Sequence, residues 1–234
     1  MAVTVDRSSI SIVFVGQFNP VIFSPEWLRR MEVVSADNLD AAAIEVIHRA
    51  LSKFSVGEFS IEVTEGRFVI TSESEPFVMV QDTVSKIFGE HLKHTHLHQM
   101  GINYHETFTL PNIATREKLG RQLAPIEPWG EFGLRMESDN PKLLGGMSSL
   151  EMQEFICRHR SDTDFRKVSI TASRTPDPFC SVSMRVNDHY NPVEESPENN
   201  SQRLIDILNL EFENSIRQAK LIVGSMKTYA EALT

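Results

Sequence analysis

Apolar and polar positions alternate with period two over much of this chain and switch to spacings of three and four in two long stretches. Residues 10–18 place Ile10, Ile12, Phe14 and Phe18 on one face and Val13 and Val15 on the other, which predicts an internal strand covered on both sides. Asn19-Pro20 ends it, and Ser24-Pro25-Glu26 predicts a short helix: a hydroxyl cap, proline at the first helical position and an acid in the first turn. Residues 37–51 read two ways. Asp40 to Ala43 favours helix by propensity, whereas Ile44, Val46 and His48 alternate with Glu45, Ile47 and Arg49, and a strand over 44–48 is the preferred reading. Phe59, Ile61 and Val63, a turn at Glu65-Gly66, and Phe68, Val69 and Ile70 predict a hairpin. A helix then opens at Pro76, with the stripe Phe77, Val80, Val84, Ile87, Phe88 and Leu92.

A strand is predicted over 102–110, followed by a seam over 111–130 that carries Pro111, Pro125 and Pro128 around a helical piece at 115–122. Beyond the seam the pattern predicts a short strand at Phe132–Met136. Three more follow, around Leu150, Met152 and Ile156, around Val168, Ile170 and Ala172, and around Val182, Met184 and Val186. The acidic loop 192–200 ends this meander, and Ser201 is expected to cap the longest helix, striped by Leu204, Leu208, Phe212, Ile216, Ala219, Val223 and Met226. The expected fold is α+β: antiparallel sheet with long amphipathic helices on one face. It divides into two similar strand-then-helix halves, 1–112 and 113–234, packed as one unit.

Composition adds limits. Hydrophobic residues at 41% and charged residues at 24% are ordinary for a globular protein, and a net charge of −9 argues against a sequence-blind grip on nucleic acid. The N-terminus is a poor secretion signal and no apolar run reaches bilayer length, so a cytoplasmic protein is expected. Cys157 and Cys180 make no C-x-x-C pair and read as free thiols, with a single bridge as the alternative.

Candidate chemistry concentrates between Phe88 and Leu110, which hold five of the eight histidines. His94, His96 and His98 alternate. On a strand, residues two apart project the same way at about 6.7 Å, so a pair of them with a third ligand could hold zinc; a polar strand entrance is the plainer reading. Asn187-Asp188-His189-Tyr190 sits where a strand is expected to end and reads first as turn chemistry, since the adjacent Asp188 and His189 face opposite ways. Arg158, His159, Arg160, Arg166 and Lys167 flank residues 161–164; they could hold an anionic partner, and a solvated hairpin tip is the preferred reading. Phosphate loop, dinucleotide fingerprint and nucleophile elbow are all missing from the sequence, which disfavours the mainstream nucleotide and hydrolase enzymes.

The blocks FNPVIFSPEWL (18–28), EVIH (45–48), Arg67-Phe68-Val69, HT (94–95), GIN (101–103), LAP with EPW (123–129), GM-x-SL-x-M (146–152) and VNDHY (186–190) resemble, in order and nearly end to end, a family of uncharacterised bacterial proteins of similar length. That family has no assigned activity, so the resemblance transfers no catalytic residue. It brings forward Asn19, His48, Asn103, Asp188 and His189 as shared polar positions and therefore as candidate binding residues. His94 and Thr95 match its pattern, whereas His96 and His98 stand where relatives look more like Pro-Ile, which weakens the zinc triple.

The expected function is a binding, assembly or regulatory module that works through a protein partner or self-association, with exposed apolar residues at the seam as its surface. An accessory bacterial system of antitoxin-like or defence type is the setting envisaged. Two alternatives stand beside it. One is a metal-dependent hydrolytic enzyme using His94 and His96 with His48 or His189, and Asp188 as orienter or base. The other is a small-molecule-binding protein.

Overall fold

A computed structural model describes residues 3–35, 37–38, 42–140, 144–158, 161–172, 180–192 and 201–233. In chain order the strands and helices are β1 (Thr4–Gly16), α1 (Pro25–Arg30), β2 (Ala43–His48), β3 (Leu51–Val56), β4 (Phe59–Thr64), β5 (Arg67–Ser72), α2 (Val78–Lys86), β6 (Leu97–Thr109), α3 (Ile113–Leu123), α4 (Gly130–Leu134), β7 (Ser149–Arg158), β8 (Ser161–Ala172), β9 (Ser181–Tyr190) and α5 (Gln202–Glu231). All nine strands join one antiparallel sheet in the order β2-β3-β4-β5-β1-β6-β9-β8-β7. The two long strands β1 and β6 lie side by side at its centre, Ile12 opposite Ile102. Each is flanked by the last strand of a meander, β5 beside β1 and β9 beside β6.

Strand periodicity decides what is buried. Ile10, Ile12 and Phe14 of β1, Met100, Ile102, Tyr104 and Phe108 of β6, and Val182, Met184 and Val186 of β9 all enter one hydrophobic cluster. Helix α2 adds Val80 and Val84 to that cluster; α5 adds Leu204, Leu208, Phe212, Ala219 and Val223. Phe88 is its aromatic hub, with ring centroids 4.9 Å from Phe68, 5.4 Å from Phe14 and 5.9 Å from Phe18. The helix that opens at 78 loosens into a π turn over Ile87–His91, and this local widening lets consecutive Ile87 and Phe88 both face the core.

Several expectations change in detail. Ser24 caps α1 as predicted, its Oγ accepting from Trp27 N at 3.1 Å. Ser201 does not cap α5: its hydroxyl donates to the carbonyls of Phe88 and Lys93, tying the start of α5 to the segment that follows α2. The strand foreseen at 132–136 is a short helix, α4. Phe132 and Leu134 alternate there as strand residues would, but both are exposed, and Gly133 lies so close to the Ile126 carbonyl that a Cβ would stand 2.1 Å from its oxygen. β1 is internal by pairing, yet Val13 and Val15 are not in the core; they lie on the opposite face. β6 starts at Leu97, so His98 belongs to the strand rather than to a preceding junction. The acidic loop lies almost wholly outside the described residues.

Candidate functional site

The strand positions that alternate with the core positions form a second face, and cross-strand register gathers them into rows. One row runs Thr71, Ser11, Asn103, Asn187, Lys167, Gln153 across β5, β1, β6, β9, β8 and β7, polar at every step. The row on one side of it runs Ser9, His105, Arg185, Ser169, Glu151. On the other side the row is Val13, Gly101, His189, Phe165, Phe155. Neighbouring strands stand about 4.8 Å apart, so these side chains are close-set. Sheet twist curls this face into a groove of about 530 Å³ that draws its lining from β1, β5, β6, β7, β8 and β9.

Gly101 opens the floor. It is buried between Val13 and His189 and contributes no side chain; a Cβ there would meet Asn187 Oδ1 at 3.2 Å and Asn103 Nδ2 at 3.6 Å. Asn103 Nδ2 donates to the Ser11 carbonyl at 3.4 Å. Asn187 Oδ1 is shielded from solvent and has no hydrogen-bond partner among the described residues. Leaving a buried acceptor unpaired costs about 1–3 kcal/mol, a departure from fold-level optimisation of the kind expected at a working site.

The groove is locally basic although the chain is acidic. Arg67, Lys167 and Arg185 line it against a single carboxylate, Glu151. Glu151 accepts from Ser169 Oγ at 2.9 Å and lies 3.4 Å from Lys167 Nζ. Arg67 and Arg185 have no carboxylate partner among the described residues. His105 is fixed by a 2.6 Å hydrogen bond between Nε2 and Ser183 Oγ. Burial first, then the charges of Arg185 and Arg7, push its pKa down. His189 stacks on Phe165 with ring centroids 4.4 Å apart and planes 18° apart, and burial again leads in lowering its pKa, with Asp164 and Asp188 opposing and Arg158 assisting.

Behind this face, toward α5, lies a buried ionic network. Asp188 accepts from Arg158 Nη2 at 2.6 Å, Arg166 Nη2 at 3.0 Å and Ser215 Oγ at 2.8 Å, and Tyr190 OH lies 2.7 Å from Ser215 Oγ. Asp164 accepts from Arg158 Nε at 3.1 Å and from the Asn191 backbone at 2.6 Å. The Arg158 guanidinium also covers the Tyr190 ring at 3.8 Å. Burial alone would raise the Asp188 pKa, but the Arg158 hydrogen bond and charge, seconded by Arg166, hold it below the usual carboxylate range. Burial and the neighbouring Asp188 charge raise the Tyr190 pKa. Arg158 of β7, Arg166 of β8 and Ser215 of α5 all meet at Asp188 of β9, so the network clamps β7, β8 and β9 to α5.

Of the sequence candidates, the groove therefore unites Asn103 and His189. Asp188 is withdrawn from it: β9 continues through Tyr190, so this residue does not close a strand, and it serves the buried network instead. Arg158 and Arg166, read as a solvated tip, belong to that network too, while His159 and Arg160 lie outside the described residues. Asn19 caps the turn at 20–22, its Oδ1 accepting from Val21 N at 3.3 Å, and His48 Nδ1 accepts from Ala50 N at 3.4 Å in the turn between β2 and β3. His94 and His96 precede β6 and His98 lies within it; among the described residues no three His, Cys, Asp or Glu side chains are grouped to hold a metal. The pattern reading missed Gly101 and Arg185, and it placed Asn187 in a turn and Lys167 at a solvated tip rather than in a groove. Their signal was the polar half of each alternating strand, which becomes a site only when register stacks the halves.

No known family matches the chain, and no curated protein is similar to it. Among the described residues no helix is long and apolar enough to cross a membrane.

Proposed function

We propose that this protein is a binding module whose working surface is the groove on the strand face turned away from the core. In this reading the helices all cover one face, and the two similar halves divide before β6 rather than at residue 113, each a long strand with a returning meander and a closing helix. The sheet between them is then left free to receive a small polar ligand. One observation carries the reading: a continuous polar row, Thr71 to Gln153, crosses six strands and passes the side-chain-free notch at Gly101, which supports pre-organised polar contacts of the kind small-ligand sites use. The thiols of Cys157 and Cys180, unpaired with each other, support a reducing, cytoplasmic setting. The test is amide NMR on ¹⁵N-labelled protein exposed to a library of small polar fragments. Shifts centred on Gly101, Asn103 and Asn187 support the reading; fragments that bind elsewhere and leave these amides still contradict it.

A second reading, partnership with another protein in an accessory bacterial system, is favoured by a separate feature. Trp129, Phe132 and Leu134 at the end of the seam are 62%, 52% and 71% exposed, with the two rings 6.2 Å apart and Arg135 5.9 Å from the Phe132 ring. Exposed Trp, Phe and Arg in one cluster is the composition of interface anchors. A defined partner that binds the native chain and is lost on combined Trp129→Ala and Phe132→Ala substitution supports this reading. Partner binding unchanged by that substitution contradicts it.

A further inference from the structure

We infer that the groove recognises a small organic anion, its carboxylate or phosphate held where Arg185, Lys167 and His105 meet on β9, β8 and β6. This rests on the groove being a binding site and adds the chemical class of its ligand.

Register supplies the geometry. His105 stands directly opposite Arg185, and Asn187, two residues along β9, stands opposite Lys167. Arg185 and Lys167 are thus diagonal neighbours on paired strands, about 7–8 Å apart at their origins and within reach of one shared group for such long side chains. Between and beside them lie Ser169, Ser9, Asn103 and Asn187, short polar groups that leave room for a ligand and offer it hydrogen bonds.

Charge supplies the sign. Two arginines in the groove have no carboxylate partner among the described residues, and the lone carboxylate, Glu151, is already bonded to Ser169 and Lys167. Such an arrangement in a chain of net charge −9 creates a local positive potential inside a concave site, where field lines are focused. His105 lies in that setting: burial first, then Arg185 and Arg7, lower its affinity for a proton, and Ser183 and Ser9 are the neutral polar groups paired around it. Arginine and lysine together suit a carboxylate or phosphate, the first by a planar fork and the second as a point charge.

The experiment is an NMR pH titration of the His105 ring, assigned with a His105→Gln control, in the presence of citrate, inorganic pyrophosphate or uncharged glucose. At least one of the two anions is expected to raise the His105 pKa saturably, and whichever does so identifies the group as carboxylate or phosphate. Arg185→Gln is expected to weaken that anion at least tenfold; Arg29→Gln, in a surface pair on α1, is expected to leave it unchanged. No saturable shift with either anion, or an unchanged affinity in Arg185→Gln, overturns the inference. If uncharged fragments still shift Gly101 and Asn187 while both anions fail, the anion class falls and the groove reading stands; if neither class of probe moves them, both fall.

Discussion

Asp188 and His189 are bonded neighbours that serve opposite faces of the sheet. Asp188 is 1% exposed and is held by Arg158, Arg166 and Ser215, whereas His189 looks into the groove and stacks on Phe165. A single peptide step therefore separates the clamp that holds β7, β8 and β9 under α5 from the surface that strand alternation leaves open. The pleat does this: consecutive side chains leave a strand on opposite sides.

Removing the charge from the clamp should be costly. Asp188→Ala leaves Arg158 and Arg166 without their shared carboxylate in a buried setting, and loss of one partner of such a pair costs about 3–5 kcal/mol. Urea unfolding should show this loss, whereas Glu45→Ala, in an exposed pair with Lys53, should change stability by less than about 1 kcal/mol.

Phe88 joins rings from β1, β5 and the segment after β1, so Phe88→Ala should destabilise by about 3–5 kcal/mol. Phe155 on the edge strand β7 is 74% exposed, and Phe155→Ala should stay within about 0.5 kcal/mol. Thermal or urea unfolding of the two variants makes the comparison.

Acid should weaken the fold in two stages. His105 and His189 have lowered pKa values, so they are held neutral in the fold and take up protons on unfolding. Their contribution is complete above the unfolded value of about 6.5 and fades as pH falls below it. Asp188 also has a lowered pKa, so its contribution is complete above about 3.9, the unfolded value, and is lost as pH falls further through the folded one. Urea midpoints measured from pH 8 to pH 3 should decline in both windows. The double substitution His105→Gln, His189→Gln should remove the upper stage and leave the lower.

Ser201→Ala should cost about 1 kcal/mol by removing the hydroxyl's bonds to the Phe88 and Lys93 carbonyls, of which Lys93 keeps the Ser201 backbone N–H, without changing helix content. Hydrogen exchange should quicken at Phe88–Lys93 and at the first turn of α5, and remain slow in β1 and β6.

Much of the scaffold could be read from periodicity alone. Ile61 opposite Ile70 and the stripe of α5 follow from local burial, the cap at Ser24 from hydroxyl chemistry, and the strand at 44–48 from alternation alone, since its residues are not buried. Two kinds of feature could not. The α4 segment mimics a strand in pattern, but it is helical and packs Gly133 closely against the Ile126 carbonyl, a contact that alternation does not reveal. The groove depends on which strands adjoin. Asn103 and Asn187 are far apart in the chain, and Lys167 meets them only because β9 lies between β6 and β8. The histidine run drew attention by density, yet density along a chain is not convergence in space, and His94, His96 and His98 do not gather with other ligands into a metal set among the described residues.

The most direct test of the groove as the working surface is Gly101→Val, read by NMR against whichever fragment or anion binds the native protein. Gly101 needs no positive φ, and the added side chain meets Asn187 rather than backbone, so the variant should fold. The account predicts a native-like spectrum with binding weakened at least tenfold, because the side chain fills the notch between Val13 and His189. A well-folded variant that binds the same ligand with unchanged affinity would contradict it.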